Sequence, residues 1–230
     1  MPLHDALGCA PRPPHPGAAL GIMGGTFDPP HLGHLALARA ARDELSLDGV
    51  LWVPAGTPSF KRDRHVTCAR DRLHMLSLML EGDASFSVSR IETDRPGVTY
   101  SVDTLEELRR IWPAPSRLVF IMGADSLRTL PHWRRASRIL ELAEIAVAGR
   151  AGEELTADLA AVRAFAPDAC VHVLGAAPPR VSSTQLRLRL ARGEDVSDLV
   201  DGRVLEYIRL HGLYARQPDR ETRRCDDEGQ

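Results

Sequence analysis

Residues 21–34 read Gly21-Ile22-Met23-Gly24-Gly25-Thr26-Phe27-Asp28-Pro29-Pro30-His31-Leu32-Gly33-His34, and the architecture follows from this stretch. A short apolar run ends in a glycine pair, crosses a proline pair and opens into a helical pattern. Pro29 and Pro30 lock φ and suit the first positions of a helix. Gly24 and Gly25 carry no Cβ, so backbone N–H groups there can approach a phosphate closely. His31 and His34 stand three apart, on one helix face near the positive end of the dipole. Two imidazoles beside unpaired N–H groups suit a polyphosphate, and when protonated they would neutralise charge on a reacting phosphoryl group. A plainer reading of a Gly pair or a His-x-x-His taken alone is a tight turn with packed histidines. A zinc site would need a third ligand, and the neighbouring sequence supplies none. Neither GxGxxG nor GxxxxGK[ST] occurs here.

Outward from this turn, short apolar runs alternate with helical patterns. Strands are expected at 18–23, 49–53, 85–91, 117–122, 144–148 and 170–174, and helices at 32–45, 68–80, 102–111 and 151–165. Buried strands alternating with helices predict a Rossmann-like α/β fold, an open parallel sheet with helices on both faces. Right-handed crossovers place all strand C-terminal ends on one edge, where ligands of open sheets bind. The glycine pair after the first strand and Gly123 after the fourth fall on that edge.

The 230 residues are 43% hydrophobic and 26% charged, enough for one good core. A single domain is expected over 18–215, with 1–17 a disordered extension and 216–230 a polar tail. The net charge of −2 argues against a broad nucleic-acid-binding face. Cys9, Cys68, Cys170 and Cys225 are scattered without a CxxC pair, so neither a zinc site nor a disulfide framework is expected. Residues 1–17 have no basic region leading into a long apolar stretch, and no run reaches the length of a membrane span. A cytoplasmic protein with no membrane partner is the expectation. Self-association into a homo-oligomer is compatible with this pattern.

A second anion motif lies at Val181-Ser182-Ser183-Thr184-Gln185-Leu186-Arg187. Ser182 with Gln185 fits a capping box that opens a helix. The first-turn N–H groups and the hydroxyls of Ser183 and Thr184 suit an anion, with Arg187 one turn further on. By itself this is a well-capped helix.

Together, the turn resembles the TFDPxHxGH signature, and 181–187 the ISSTxxR element, of the HxGH nucleotidyltransferase superfamily. Residues 90–108 are similar to the E-x-x-R-x-G-x-S-Y-T-x-D-T-L region of nicotinate-nucleotide adenylyltransferases. Residues 120–133 resemble their G-x-D-S…L-x-x-W block, and 204–214 their V-x-x-Y-I-x-x-x-x-L-Y close. This resemblance implies adenylyl transfer from ATP to nicotinate mononucleotide, giving nicotinate adenine dinucleotide and pyrophosphate, with Mg2+ accompanying ATP. It implies no resident metal.

Under this resemblance His31, His34 and Arg187 are the catalytic candidates. Gly24, Gly25, Thr26, Phe27, Gly123, Asp125, Ser182, Ser183 and Thr184 would bind ATP, with Asp125 at the ribose or, alternatively, capping the next helix. Lys61, Tyr100, Ser101, Thr104, Trp133 and Arg134 would bind the acceptor, Trp133 by stacking on the pyridine ring and Lys61 on phosphate. Thr104 is equally consistent with the helix surface. One departure stands out: the family's P-x-x-x-P-P-H-K is here Pro54-Ala55-Gly56-Thr57-Pro58-Ser59-Phe60-Lys61, without the histidine. Rival readings are a nicotinamide-mononucleotide or pantetheine-phosphate adenylyltransferase, or a nucleotide-binding regulator without turnover.

Overall fold

The computed structural model describes His15, 17–58, 66–112, 117–149, 155–175, Pro179 and 181–215. Six parallel strands form one sheet: β1 (Ala19–Gly25), β2 (Gly49–Pro54), β4 (Phe86–Val88), β6 (Arg117–Gly123), β7 (Glu144–Ala148) and β8 (Val171–Leu174), in the order β4-β2-β1-β6-β7-β8. The chain winds outward from β1 to one side, then crosses to β6 and winds outward to the other. The strand order therefore reverses between β1 and β6, and a crevice opens at their C-terminal ends. Gly25 and Gly123 terminate these two strands.

Strand alternation divides the core in two. Val119 and Ile121 of β6 face one side, joining α1 (Leu32–Glu44), α2 (Ala69–Leu80), α7 (Ser183–Ala191) and α8 (Gly202–Leu210). Leu118, Phe120 and Met122 face the other, joining α3 (Ser101–Ile111), α4 (Ala124–Thr129), α5 (Ala136–Leu142) and α6 (Thr156–Phe165). Both faces are covered, which is why the central strands read as unbroken apolar runs. Ile121 is 1% exposed, and truncating it to Ala would cost about 2–5 kcal/mol.

The expected parallel α/β sheet with helices on both faces is the fold observed. Three local readings change. The strand expected at 85–91 is only Phe86–Val88, because the chain then turns with Asp94 N–H bonded to Arg90 O and Thr93 Oγ1 donating to the same carbonyl. A two-residue parallel bridge pairs β3 (Thr57–Pro58) with β5 (Val98–Thr99), too short to show periodicity. Helices α5 and α8 are not among the expected elements, and α4 enters only as the helix that Asp125 would cap; α4 and α5 have six and seven residues, below the length at which a helical period becomes legible. Residues 151–154, where the sixth helix was expected to begin, lie outside the described residues. So do most of 1–17 and all of 216–230.

Candidate active site

The Gly24–His34 turn joins β1 to α1 at the crevice. Gly25 is required by close approach: a Cβ there would lie 2.8 Å from the Phe27 ring. Phe27 is 1% exposed and has φ 52°, with its ring edge-on to His34 at 5.0 Å and tilted against Trp52 at 5.4 Å. Its side chain is thus a buried wedge beneath the turn, and only its backbone remains to meet a ligand.

His31 is the N-cap of α1, and the cap is reciprocal. The His34 N–H donates to His31 Nδ1, and the His31 N–H donates to His34 Nδ1, both at 3.2 Å. The rings stack with centroids 3.5 Å apart and planes 13° apart. With both Nδ1 atoms accepting, a neutral ring must carry its proton on Nε2, so each imidazole is held as an Nε2–H donor. Protonated histidines here would neutralise phosphoryl charge. For His31 that changes, because burial pushes its pKa down to about 4. In the ligand-free protein His31 is therefore neutral at pH 7.

The turn is held from three sides. Arg72, 2% exposed on α2, donates from Nε to Thr67 O and from Nη1 to Thr26 O, both at 2.9 Å. Burial lowers its pKa, and the nearby Asp28 carboxylate works in the opposite direction. Asp28, also 2% exposed, accepts the Tyr214 hydroxyl at 2.7 Å and the Thr67 N–H at 3.4 Å. Burial and the Asp28 charge raise the Tyr214 pKa, so the phenol stays a donor. From α7, Arg187 Nη1 donates to Asp28 O at 2.6 Å and Ser183 Oγ donates to Pro29 O at 2.9 Å. Further along, Leu32 N–H donates to Leu199 O at 2.8 Å.

The structure thus brings the two anion motifs together, with altered roles for their hydroxyls. Ser182 caps α7 by accepting from Gln185 N–H, as its spacing predicts. Ser183 spends its only proton on Pro29, and Thr184 Oγ1 accepts from Arg187 Nη2 at 3.2 Å. Of these hydroxyls only Ser183 donates its proton within the protein, so α7 presents to an anion its first-turn N–H groups and the hydroxyls of Ser182 and Thr184, whose oxygens accept. Asp125 lies in the first turn of α4, but Gly123 is the N-cap, so Asp125 is not the cap. Its carboxylate lies 3.9 Å from Arg128.

On the other side of the crevice, Tyr100 stands at the N-cap position of α3 without a side-chain cap bond, Ser101 begins the helix, and both are half-buried. Arg134, exposed, lays its guanidinium 4.6 Å above the Tyr100 ring. Trp133 is half-buried, donates from Nε1 to Thr129 Oγ1 at 3.1 Å and meets Phe120 edge-on at 6.2 Å. Phe120 also approaches within 3.5 Å of where a Gly24 Cβ would stand, so it links the two sides. Thr104 is 3% exposed and not on the helix surface; its hydroxyl donates to buried Glu92 at 2.7 Å and accepts from Arg95 at 3.1 Å. Lys61 and the altered Ser59-Phe60 lie outside the described residues.

Asp28, Arg72, Tyr214 and Phe120 were not singled out as site residues. Asp28 and Tyr214 sit inside the quoted motifs, so a signal existed for them. Arg72 had only the oddity of an arginine on the apolar face of a helical pattern.

The cytidylyltransferase-like family model matches residues 22–189. A probable nicotinate-nucleotide adenylyltransferase of Dehalococcoides mccartyi is 40% identical over 199 residues, covering 86% of this chain and 97% of that protein. One from Thermomicrobium roseum is 44% identical over 197 residues, covering 85% and 91%. The Plasmodium falciparum nicotinic acid mononucleotide adenylyltransferase complexed with NaAD shares the fold, with TM-score 0.69 at 15% identity over 86% of this chain and 97% of that one. By sequence the chain belongs to the cytidylyltransferase-like family and, within it, to the nicotinate-nucleotide adenylyltransferases.

Proposed function

We propose that the protein transfers the adenylyl group of ATP to nicotinate mononucleotide, releasing pyrophosphate and forming nicotinate adenine dinucleotide. The observation that carries this reading is the joining of the two anion motifs, Gly24–His34 and Ser182–Arg187, at the switch point of the sheet.

The acceptor phosphate already carries its nucleophilic oxygen, so no covalent intermediate is needed. The protein must align that oxygen with the α-phosphorus and stabilise charge as it spreads. In this reading the Nε2–H groups of His31 and His34 donate to the reacting phosphates. Gly24, Gly25, Thr26 and the Phe27 backbone cradle the triphosphate from one side. From the other, the first turn of α7 (Ser182, Ser183, Thr184) and Arg187 complete the clamp. Gly123 and Asp125 take the adenosine ribose, where a carboxylate can accept two hydroxyls. Trp133 stacks on the pyridine ring, with Tyr100, Ser101 and Arg134 around it and Lys61 on the acceptor phosphate. Thr104 shapes this side through Glu92 and Arg95.

Asp28, the carboxylate within the phosphate turn, has its oxygens engaged by Tyr214 and Thr67. That suits a Mg2+ ion held by the phosphates of ATP and its own waters, where it would supply charge neutralisation. Dependence on ATP and the reduced thiols of Cys68 and Cys170 fit a cytoplasmic enzyme. No helix among the described residues is long and apolar enough to cross a membrane.

The test is pyrophosphate release from ATP and magnesium with three acceptors in parallel: nicotinate mononucleotide, its amide, and phosphopantetheine. Release is expected with the first and at a lower kcat/KM with the second. Equal or better use of either alternative overturns the acceptor, and no release with any overturns the reaction.

A further inference from the structure

A second constellation lies at the opposite edge of the sheet, where the strands begin. Glu144 opens β7, while Cys170 and His172 flank the start of β8, the last strand of the sheet. Ala146 pairs with His172 across these strands, so residues 144, 170 and 172 project from one face by the two-residue alternation. His172 Nε2 lies 2.7 Å from Glu144 Oε2 and 3.4 Å from Cys170 Sγ, and one donor atom from each residue fits within 4.8 Å. Cys170 is exposed; His172 and Glu144 are half-buried.

We propose that Glu144, Cys170 and His172 form a binding site for a divalent transition cation of the zinc type, with a fourth position open to water. Tetrahedral zinc bonds of about 2.0–2.3 Å place neighbouring donors about 3.3–3.6 Å apart. The sulfur–nitrogen separation already matches that spacing. The nitrogen–carboxylate separation is that of a hydrogen bond and opens by about 0.6 Å on this arithmetic. Thiolate and imidazole favour zinc, cobalt or copper over magnesium or calcium.

Arg117 already orients the carboxylate. Its Nε donates to Glu144 Oε1 and Oε2 at 3.0 Å, and its Nη2 to Oε2 at 2.9 Å. Its Nη1 is anchored to Leu45 O at 3.0 Å, at the end of α1. Oε1 can keep the arginine while Oε2 turns to the cation, the kind of outer support that metal-bound carboxylates receive. CxxC spacing gives no sign of this site, because Glu144 lies 26 positions before Cys170 and meets it only through strand pairing. Binding would clip the edge strand to its neighbour, and the Cys170 thiol proton would pass to solvent.

The experiment is a titration of the full-length, metal-free protein with Co2+, then displacement by Zn2+. One equivalent should bind with a thiolate-to-cobalt charge-transfer band, intensified d–d absorption of a tetrahedral site, and a rise in Tm. Cys170→Ser and His172→Ala should each abolish the charge-transfer band, and Glu144→Gln should weaken affinity at least about tenfold. Cys170→Ser should leave pyrophosphate release unchanged, since the phosphate turn lies at the other edge. The absence of the band in the parent protein, or its persistence in Cys170→Ser, overturns the proposal; Cys9, Cys68 and Cys225 remain in that variant as the internal control.

Discussion

The two sides of the crevice are built differently. On the proposed phosphate side, the turn is fixed by partly buried polar bonds: Arg72 to Thr26 O, Arg187 to Asp28 O, Ser183 to Pro29 O, Tyr214 to Asp28. On the proposed acceptor side, Thr104 is buried against Glu92, but Tyr100, Trp133 and Arg134 are half-buried or exposed and meet their neighbours through rings: Arg134 on Tyr100, Trp133 on Phe120. A triphosphate carries the same charges whatever the acceptor, so its cradle can be rigid and preorganised. The pyridine ring is recognised by area and a few polar contacts, which permits looser support. Rigidity follows the part of the reaction that never varies.

The sharpest way to break this contrast is Arg72→Met. It removes the Arg72 donors from Thr26 O and Thr67 O and takes a buried positive charge from the neighbourhood of Asp28, which keeps Arg187 at 3.8 Å. Stability should fall by about 3–5 kcal/mol, read by urea unfolding. A loss under 1 kcal/mol would mean that the phosphate side is not held by its buried bonds.

Acid titration comes next. His31 is neutral in the fold with its pKa pushed from 6.5 to about 4, whereas the unfolded chain takes up a proton below 6.5. Stability should therefore be complete above pH 6.5 and decline as pH falls toward 4, by about 3 kcal/mol in all. His31→Gln should flatten that slope, measured as the pH dependence of the urea midpoint. ATP brings negative charge to the imidazole and should raise its pKa, so binding near pH 5.5 should take up protons. Calorimetry in buffers of different ionisation enthalpy reads this directly.

His34→Ala should lower turnover at least 10²-fold, about 2.7 kcal/mol, while the fold persists by circular dichroism. An unchanged rate removes His34 from the mechanism. The mildest change is expected on the looser side: Trp133→Ala should raise KM for nicotinate mononucleotide about tenfold, within the 1–3 kcal/mol of a base stack. Turnover at saturating acceptor should stay within a few-fold. A collapse of kcat instead would assign Trp133 to the rigid half of the site.

Legibility in the sequence follows the same division. The phosphate turn could be read because its signals are local: a glycine pair, two prolines and histidines three apart all act within eleven residues. The Ser182–Gln185 cap was legible for the same reason, and the central strands through their unbroken apolar runs. Arg72 was not, because its place on the apolar face of a helical pattern names no partner until Thr26 and Thr67 are folded against it. Thr104 sits on α3 where either pocket or surface was conceivable, and only the arrival of Glu92 and Arg95 buries it. The hydroxyl of Ser183 was assigned to phosphate because its carbonyl partner, Pro29, lies 154 positions away. Helices α4 and α5 are too short for their period to register, and tertiary contact holds them.

Tyr214 joins Asp28 across 186 positions of the chain. On the ribosome, the phosphate turn emerges early and its fastening almost last, an interval of about 10–40 s at ordinary elongation rates. Throughout that interval Asp28 lacks its phenol, and for most of it α7 has yet to cross the turn. A nascent chain thus carries His31 and His34 on a turn that lacks these fastenings, and the fastened turn belongs only to a chain that has reached Tyr214.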